Sequence, residues 1–208
     1  EKNVSFEHIE AQMYMALRGD EIVGTIAAFS NQRHNEYQNE NIAFFGFFEF
    51  LEDYEAAEAL LKTAEKWAKE RGFNALRGPA QWTTNDECGL LVDGFDDLPR
   101  IMMTYNPPYY VDYVEKAGFS YARDLWAYEL AVDDFMKNTG DRLDKLTNRI
   151  LERKNITIRN LNMKIFDEEV AKVKELYNSA WAMNWGFVPM TDKEFAHLAS
   201  NLKGVLDP

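Results

Sequence analysis

At 208 residues, with 46% hydrophobic and 14% aromatic residues, the chain can build one large domain, or one domain and part of another, around a real core. A net charge of -12 argues against nucleic acid or an anionic membrane as a main partner, because phosphate affinity comes mostly from Lys and Arg displacing counterions. The one cysteine, Cys88, excludes a disulfide framework and a Cys-based zinc cluster; no apolar run approaches the ~20 residues of a membrane span and no signal peptide opens the chain, so a cytoplasmic protein is expected.

Met13 to Arg18 alternates weakly, Gly19 and Asp20 make a turn, and Ile22 to Phe29 alternates again, which predicts a hairpin. Residues 30–41, SNQRHNEYQNEN, have almost no apolar content and read as an exposed loop. Ile42 to Phe50, IAFFGFFEF, has apolar side chains at even and odd positions, the pattern of a strand buried on both faces or of a piece of buried helix. Phe at five of its nine positions, with Gly46 in the middle, favours the strand. From Tyr54 the period changes: Ala57, Leu60, Leu61, Ala64, Trp67 and Ala68 recur at three and four, one stripe of a helix capped by Asp53 and stopped by Gly72. Its other face carries Glu58 to Lys62 and Glu65 to Lys69, acid before base at four apart.

Phe73 to Arg77 predicts a short strand ended by Gly78 and Pro79. Residues 80–106 have no clear period, and a segment of this length without regular structure is more often functional than filler. Pro107 and Pro108 open a helix from Tyr109 to Ala117 with Gly118 as its stop, and Phe119 to Val132, dense in aromatics, reads as a strand or two. Residues 133–155 are strongly charged, with Leu143, Leu146, Ile150 and Leu151 marking one linker helix. Ile156 to Leu161 reads as a new strand. Asp167 is expected to cap a helix with the stripe Val170, Val173, Tyr177, Ala180 and Trp181, and Thr191 with Glu194 forms a capping box for a last helix through Leu202. The domain boundary falls between about 133 and 155. The start at Glu1 without Met, and the stop at Pro208 just after a helix, lead to the expectation of an incomplete chain.

Hairpin, long strand, crossover helix, strand, short helix and strand make an α/β (α+β) fold, with a mixed, mainly antiparallel sheet and one parallel pair joined by the helix. On EIVGTIAAF as the second hairpin arm, IAFFGFFEF with its helix, and YVEKAGF before the final strands, the chain resembles the GNAT superfamily of acyl-CoA-dependent N-acyltransferases. The resemblance covers residues 13–132. A second start of the same plan from about Ile156 is similar to a tandem GNAT-like protein. The division expected is 1–132 for a first GNAT-like domain, 133–155 for a linker helix and 156–208 for the helical start of a second, incomplete one.

The resemblance implies acetyl-CoA or another acyl-CoA as donor and a small amine as acceptor. It also implies where the chain departs from the family. The joint between central strand and helix in the family carries Arg or Gln, then Gly, then Gly or Ala, whose backbone amides hold the CoA diphosphate; the matching residues here are Glu52, Glu55 and Ala57. With Asp53, three carboxylates stand at the anion site, where they repel the diphosphate or serve simply as partners of the helix dipole. Many members place a Tyr general acid four residues before the Gly of the short helix; Val114 holds that place and Tyr113 lies one earlier. A first copy without ordinary acetyl-CoA catalysis follows, and any cofactor site then belongs to the second copy, in the full-length protein.

Glu49, near the end of the central strand, stands where several GNAT enzymes keep a carboxylate that takes a proton from the substrate amine; the alternative is a carboxylate pointing to solvent at a fraying end. Trp82, Asn85, Asp86, Tyr105, Asn106 and Tyr109 suit a pocket for a small polar amine, or else cover the sheet and make a turn. Cys88 has no His nearby in sequence and reads as an idle thiol. His8, His34 and His197 lack metal-ligand spacing, so no metal is expected. Trp181, Met183, Trp185 and Phe187 line a channel between copies or fill a core. Two functions follow: an N-acyltransferase-like protein acting on a small amine, with a non-catalytic first copy, or a ligand- or partner-binding pseudo-acyltransferase module without chemistry.

Overall fold

The computed structural model describes residues 4–100 and 103–202. β1 (Ile9–Arg18) and β2 (Glu21–Asn31) form the hairpin, turning at Gly19 with φ +65°. A short helix, α1 (Gln32–Gln38), leads into β3 (Ile42–Phe50), which pairs antiparallel with β2. α2 (Tyr54–Glu70) then crosses over to β4 (Ala75–Arg77), parallel to β3. The result is a mixed four-stranded sheet in the order β1-β2-β3-β4, and the α+β expectation holds.

α2 forms where the three-four stripe predicts it. The Asp53 carboxylate accepts the Ala56 N–H at its start, and Gly72, at φ +78°, closes its end. Its buried face, including Ala57, Leu60, Leu61, Ala64 and Trp67, packs on Ile26, Ala28, Phe45, Phe48 and Phe50. Burying a side chain such as Leu61 or Phe45 is worth about 1.5–3 kcal/mol, so this face is the main source of cohesion. α3 (Tyr109–Lys116) joins the same core through Tyr110 and Val114. The opposite face of the sheet carries a second cluster of Ile9, Ala27, Phe29, Ile42, Phe44 and Ala80.

β3 contains one residue more than its neighbour can match. Ala27 pairs with Gly46 and Thr25 with Glu49, so Phe47 and Phe48 together face Ile26. This is a β-bulge, and Phe47 takes the left-handed φ of +46° that an aromatic residue rarely adopts. The Thr25 hydroxyl donates to the Phe47 carbonyl at 3.2 Å. Before the bulge Ala43 and Phe45 face α2; after it Phe48 and Phe50 do. The phase of the strand is reversed, and Glu49 lies on the side away from α2.

Beyond α3 the chain runs through α4 (Val132–Lys154), α5 (Phe166–Trp181) and α6 (Asp192–Leu202). Thr191 and Glu194 make the reciprocal capping box, with the Thr191 N–H donating to Glu194 at 2.8 Å and the Glu194 N–H to the Thr191 hydroxyl at 3.2 Å. Among the described residues no helix is long and apolar enough to cross a membrane.

Four local expectations are corrected. The polar run 30–41 is not a loop but contains α1, capped by the Asn31 side chain, with Asn31 and His34 buried. Residues 119–131 and 156–161 have no regular secondary structure and pair with no strand among the described residues. Asp167 lies in the first turn of α5 rather than capping it, and Val173, Ala180 and Trp181 on the expected stripe are exposed. Of the Trp181, Met183, Trp185 and Phe187 cluster, Phe187 is buried. It is buried because the α5–α6 connection folds back onto α1 and the 82–86 turn: Gln38 donates to the Phe187 carbonyl, Arg33 to that of Pro189 and Asn85 to that of Val188.

Candidate functional site

Past β4 the chain is pinned to β3 and then leaves it. The Ala80 N–H donates to the Phe45 carbonyl at 2.9 Å, and the backbones approach so closely that a Cβ on Gly46 would stand 1.7 Å from the Ala80 oxygen. Glycine is therefore required at 46. Where the two segments diverge they leave a cleft of about 60 Å³, whose walls include Glu49, Gln81, Glu87, Tyr105, Asn106 and Tyr110. The bulge at Phe47 and the glycine contact thus place Glu49 in this cleft and not under α2.

Glu49 is exposed and accepts a hydrogen bond from the Tyr110 hydroxyl at 2.9 Å. The same hydroxyl oxygen accepts the Phe50 N–H at 3.1 Å, and the Tyr110 ring stacks on Phe50 at 4.0 Å. Burial pushes the Tyr110 phenol far up, with the Glu49 carboxylate adding to the effect, so the group is a fixed donor. Tyr109 donates its own hydroxyl to the Phe50 carbonyl at 3.2 Å, and burial raises it as well. α3 therefore presents two phenols to the end of β3, one of which holds the candidate base.

The other candidates fall into two groups. Tyr105 is exposed in the cleft. Asn106 is buried there, but its amide is committed to backbone: its oxygen accepts from Leu91 N at 2.7 Å, and its nitrogen donates to the Leu91 and Pro107 carbonyls. It clamps the two edges of the insertion together. Trp82, Asn85 and Asp86 are not brought to the cleft. Trp82 packs against Phe6, Phe29 and Phe47 on the sheet face opposite α2. Asn85 accepts from the Tyr177 hydroxyl at 2.6 Å and binds the returning C-terminal segment. Asp86 accepts from Thr83 in a turn, and desolvation by the surrounding segment raises its carboxyl although the residue keeps exposed surface. Desolvation also raises the Cys88 thiol, which fits an unreactive group.

The joint at the start of α2 is filled by the chain's own charges. Arg18, from the end of β1, donates to Asp53 at 2.5 and 2.9 Å and to Glu55 at 3.2 Å. Arg18 holds the Asp53 carboxyl below its ordinary value, with the Ala56 N–H helping. The first-turn donor that an anion would use is thus occupied by a side chain, and the residues present do not fit a CoA diphosphate there.

Sequence reading passed over Tyr110 as the partner of Glu49, although the spacing of Tyr110 and Val114 on α3 marks its inward face. It also passed over a polar cluster under α1. His34 Nε2 lies 2.8 Å from Glu40, and Arg77 grips Glu40 with two bonds of 2.9 Å. A carboxylate only accepts, so the neutral imidazole carries its proton on Nε2.

Comparison with known proteins places the chain beside two bacterial relatives. It is 36% identical over 202 residues to protein YghO of Escherichia coli, an alignment covering 97% of this chain and 51% of that protein. It is 35% identical over 209 residues to a bacterial ceramide synthase of Caulobacter vibrioides, covering 99% of this chain and 53% of that protein. The chain is homologous to both. It spans about half the length of the curated relatives it matches. No protein-family model and no solved structure matches it.

Proposed function

We propose that the chain is part of an acyl-CoA-dependent N-acyltransferase of GNAT type, in which residues 1–132 form a unit that receives the amine acceptor. Residues 133–155 link it to a second unit beginning at 156, to which the donor belongs. The observation that carries this reading is the 35% identity, over 99% of the chain, to a protein named as a ceramide synthase. A ceramide is the amide of a fatty acid and an amino alcohol, so its synthesis is the acylation of an amine.

Within the cleft, Glu49 attracts the ammonium group and takes a proton from it, leaving the nitrogen lone pair free to attack an acyl carbonyl. Tyr110 holds the carboxylate in place through its 2.9 Å hydrogen bond. No step is routed through α2, because Asp53, Glu55 and Arg18 fill the joint where the family holds its donor. The same filled joint favours a second reading, a pseudo-acyltransferase module that binds a ligand or partner without chemistry.

Calorimetric titration of acetyl-CoA and of a long-chain acyl-CoA into this chain and into the full natural protein separates the two. The first reading expects binding by the full protein and none by this chain. Binding by neither supports the module, and tight binding by this chain overturns the account of the joint.

A further inference from the structure

α4 carries its apolar residues in a strict order. Met136, Leu143 and Ile150 recur every seven residues, and Val132, Thr139, Leu146 and Arg153 interleave with them at spacings of three and four. This is the spacing of a helix–helix seam, in which each side chain fills a hole between residues of a facing helix. Its apolar members lie in water: Val132 is 66% exposed, Met136 50%, Leu143 37%, Leu146 51% and Ile150 44%. Thr139 adds no orphan polar group to the seam, since its hydroxyl donates to the Phe135 carbonyl at 2.6 Å. A helix draws most of its stability from packing its apolar face, so a 23-residue helix with this seam uncovered calls for a facing helix.

Charge selects the facing helix. The first half of α4, with Asp133, Asp134 and Asp141 against Lys137, is acidic; the second, from Arg142 to Lys154, carries five bases against two acids. A second α4 laid antiparallel sets each acidic half on a basic one and opposes the two helix dipoles. We infer that the α4 seam is the interface of a homodimer, in which two copies of this chain pair antiparallel. The inference is independent of the acyltransferase reading. With Leu143 set against the partner's Leu146, Ile150 meets the partner's Thr139, and Met136 lies under the stem of the partner's Arg153, whose head stays in water. Beside the seam, Asp133 of each copy meets the partner's Lys154. Either direction brings like charges together, Arg149 with the partner's Lys154 when parallel and Arg142 with the partner's Arg149 when antiparallel. The antiparallel one alone adds the attraction of Asp133 to Lys154. Exposed ion pairs are weak, and the net charge of -12 opposes association. The dilute chain is therefore a monomer with its seam open, and the copies pair as concentration rises.

Sedimentation equilibrium at rising concentration should give a mass that climbs from one chain to two. Leu143→Ser with Leu146→Ser holds it at one chain, with the near-ultraviolet circular dichroism of the core unchanged. Asp133→Lys weakens pairing about tenfold, because it turns both attractive contacts into repulsive ones, and adding Lys154→Asp restores it. Arg142→Glu tightens pairing, since each new acid meets the partner's Arg149. These charge variants leave the seam intact, so they decide the matter even should the serine pair unfold α4. A chain that is monomeric at every concentration, or a dimer indifferent to the serine pair and to the charge variants, overturns the inference. Pairing that Asp133→Lys weakens and Lys154→Asp does not restore overturns the antiparallel copy as occupant. So does a full natural protein that stays monomeric while the amides of α4 resist hydrogen exchange, which would assign the seam to the rest of its own chain.

Discussion

Two helices of this chain carry the same kind of apolar stripe and meet different surroundings. On α2, Leu60, Leu61, Ala64 and Trp67 are buried against the sheet. On α4, Leu143, Leu146 and Ile150 recur at comparable spacing and remain exposed, as do Tyr121, Trp126 and Tyr128 in the irregular segment before it. An amphipathic period fixes that a helix forms and which face is apolar; it does not supply the surface that the face covers. α2 has that surface because it is the crossover between two parallel strands and must lie on the sheet they make. Among the described residues α4 is flanked by segments that make no sheet, and Leu143, Leu146 and Ile150 stay exposed.

The contrast is tested most strongly by truncation in each region. Phe45→Ala, in the fully buried row under α2, costs about 3–5 kcal/mol in chemical denaturation, because a cavity is left where the sheet and helix meet. Leu146→Ala on α4 changes stability by less than about 0.5 kcal/mol. A comparable loss at both positions would erase the distinction between the regions.

A smaller effect separates them by pH. Burial lowers the pKa of His34 despite the opposing pull of Glu40, so the folded state favours the neutral ring. The unfolded His titrates near about 6.5, so its contribution is fully present above that value and declines as pH falls below it, toward the lowered folded pKa. Glu40, held down by Arg77, acts lower: its contribution is present above the ordinary carboxylate range and is lost as pH falls through its depressed folded value. Melting temperature should therefore fall from neutral to mildly acid pH, and His34→Gln should flatten part of that slope without altering the exposure of α4 to proteases. Thr25→Val is the mildest test. It removes the hydroxyl that satisfies the Phe47 carbonyl and costs about 1 kcal/mol in denaturation.

The hairpin, the central strand, α2 and the Thr191–Glu194 capping box were legible because each is written locally, as alternation, a three-four period or a cap with its partner in reach. α1 was not, since its residues are polar for a different reason than solvation. Asn31 caps the helix, Asn35 bonds both backbone groups of Ile42, and His34 turns inward against Phe44. Composition cannot distinguish side chains bound to water from side chains bound to backbone. Residues 119–131 misled in the opposite direction, because aromatic content describes fitness for a pleated surface and not the presence of a partner strand. Of the candidate site residues, Glu49, Tyr105 and Asn106 line one cleft, while Trp82, Asn85 and Asp86, near Tyr105 in sequence, lie elsewhere because the two ends of the 80–106 segment fold to different places. Tyr110 was within reach of a periodicity argument, but its bond to Glu49 spans 61 residues and no local pattern encodes it.

The extra residue at Phe47 makes the facing of Glu49 depend on the bulge and not on composition alone. Were β3 to pair with β2 at its present length but without the bulge, every side chain would stay chemically intact and yet the two sides of the strand beyond Gly46 would be exchanged. Glu49 would then be delivered among Leu60 and Leu61, where a carboxylate has no water, and Phe50 would be turned out of the α2 core. Deleting the extra residue would keep Glu49 on its side, since the Ala27–Gly46 and Thr25–Glu49 pairs would both stay in register around Ile26; straightening the strand at its present length would abolish both the core and the acid at a stroke.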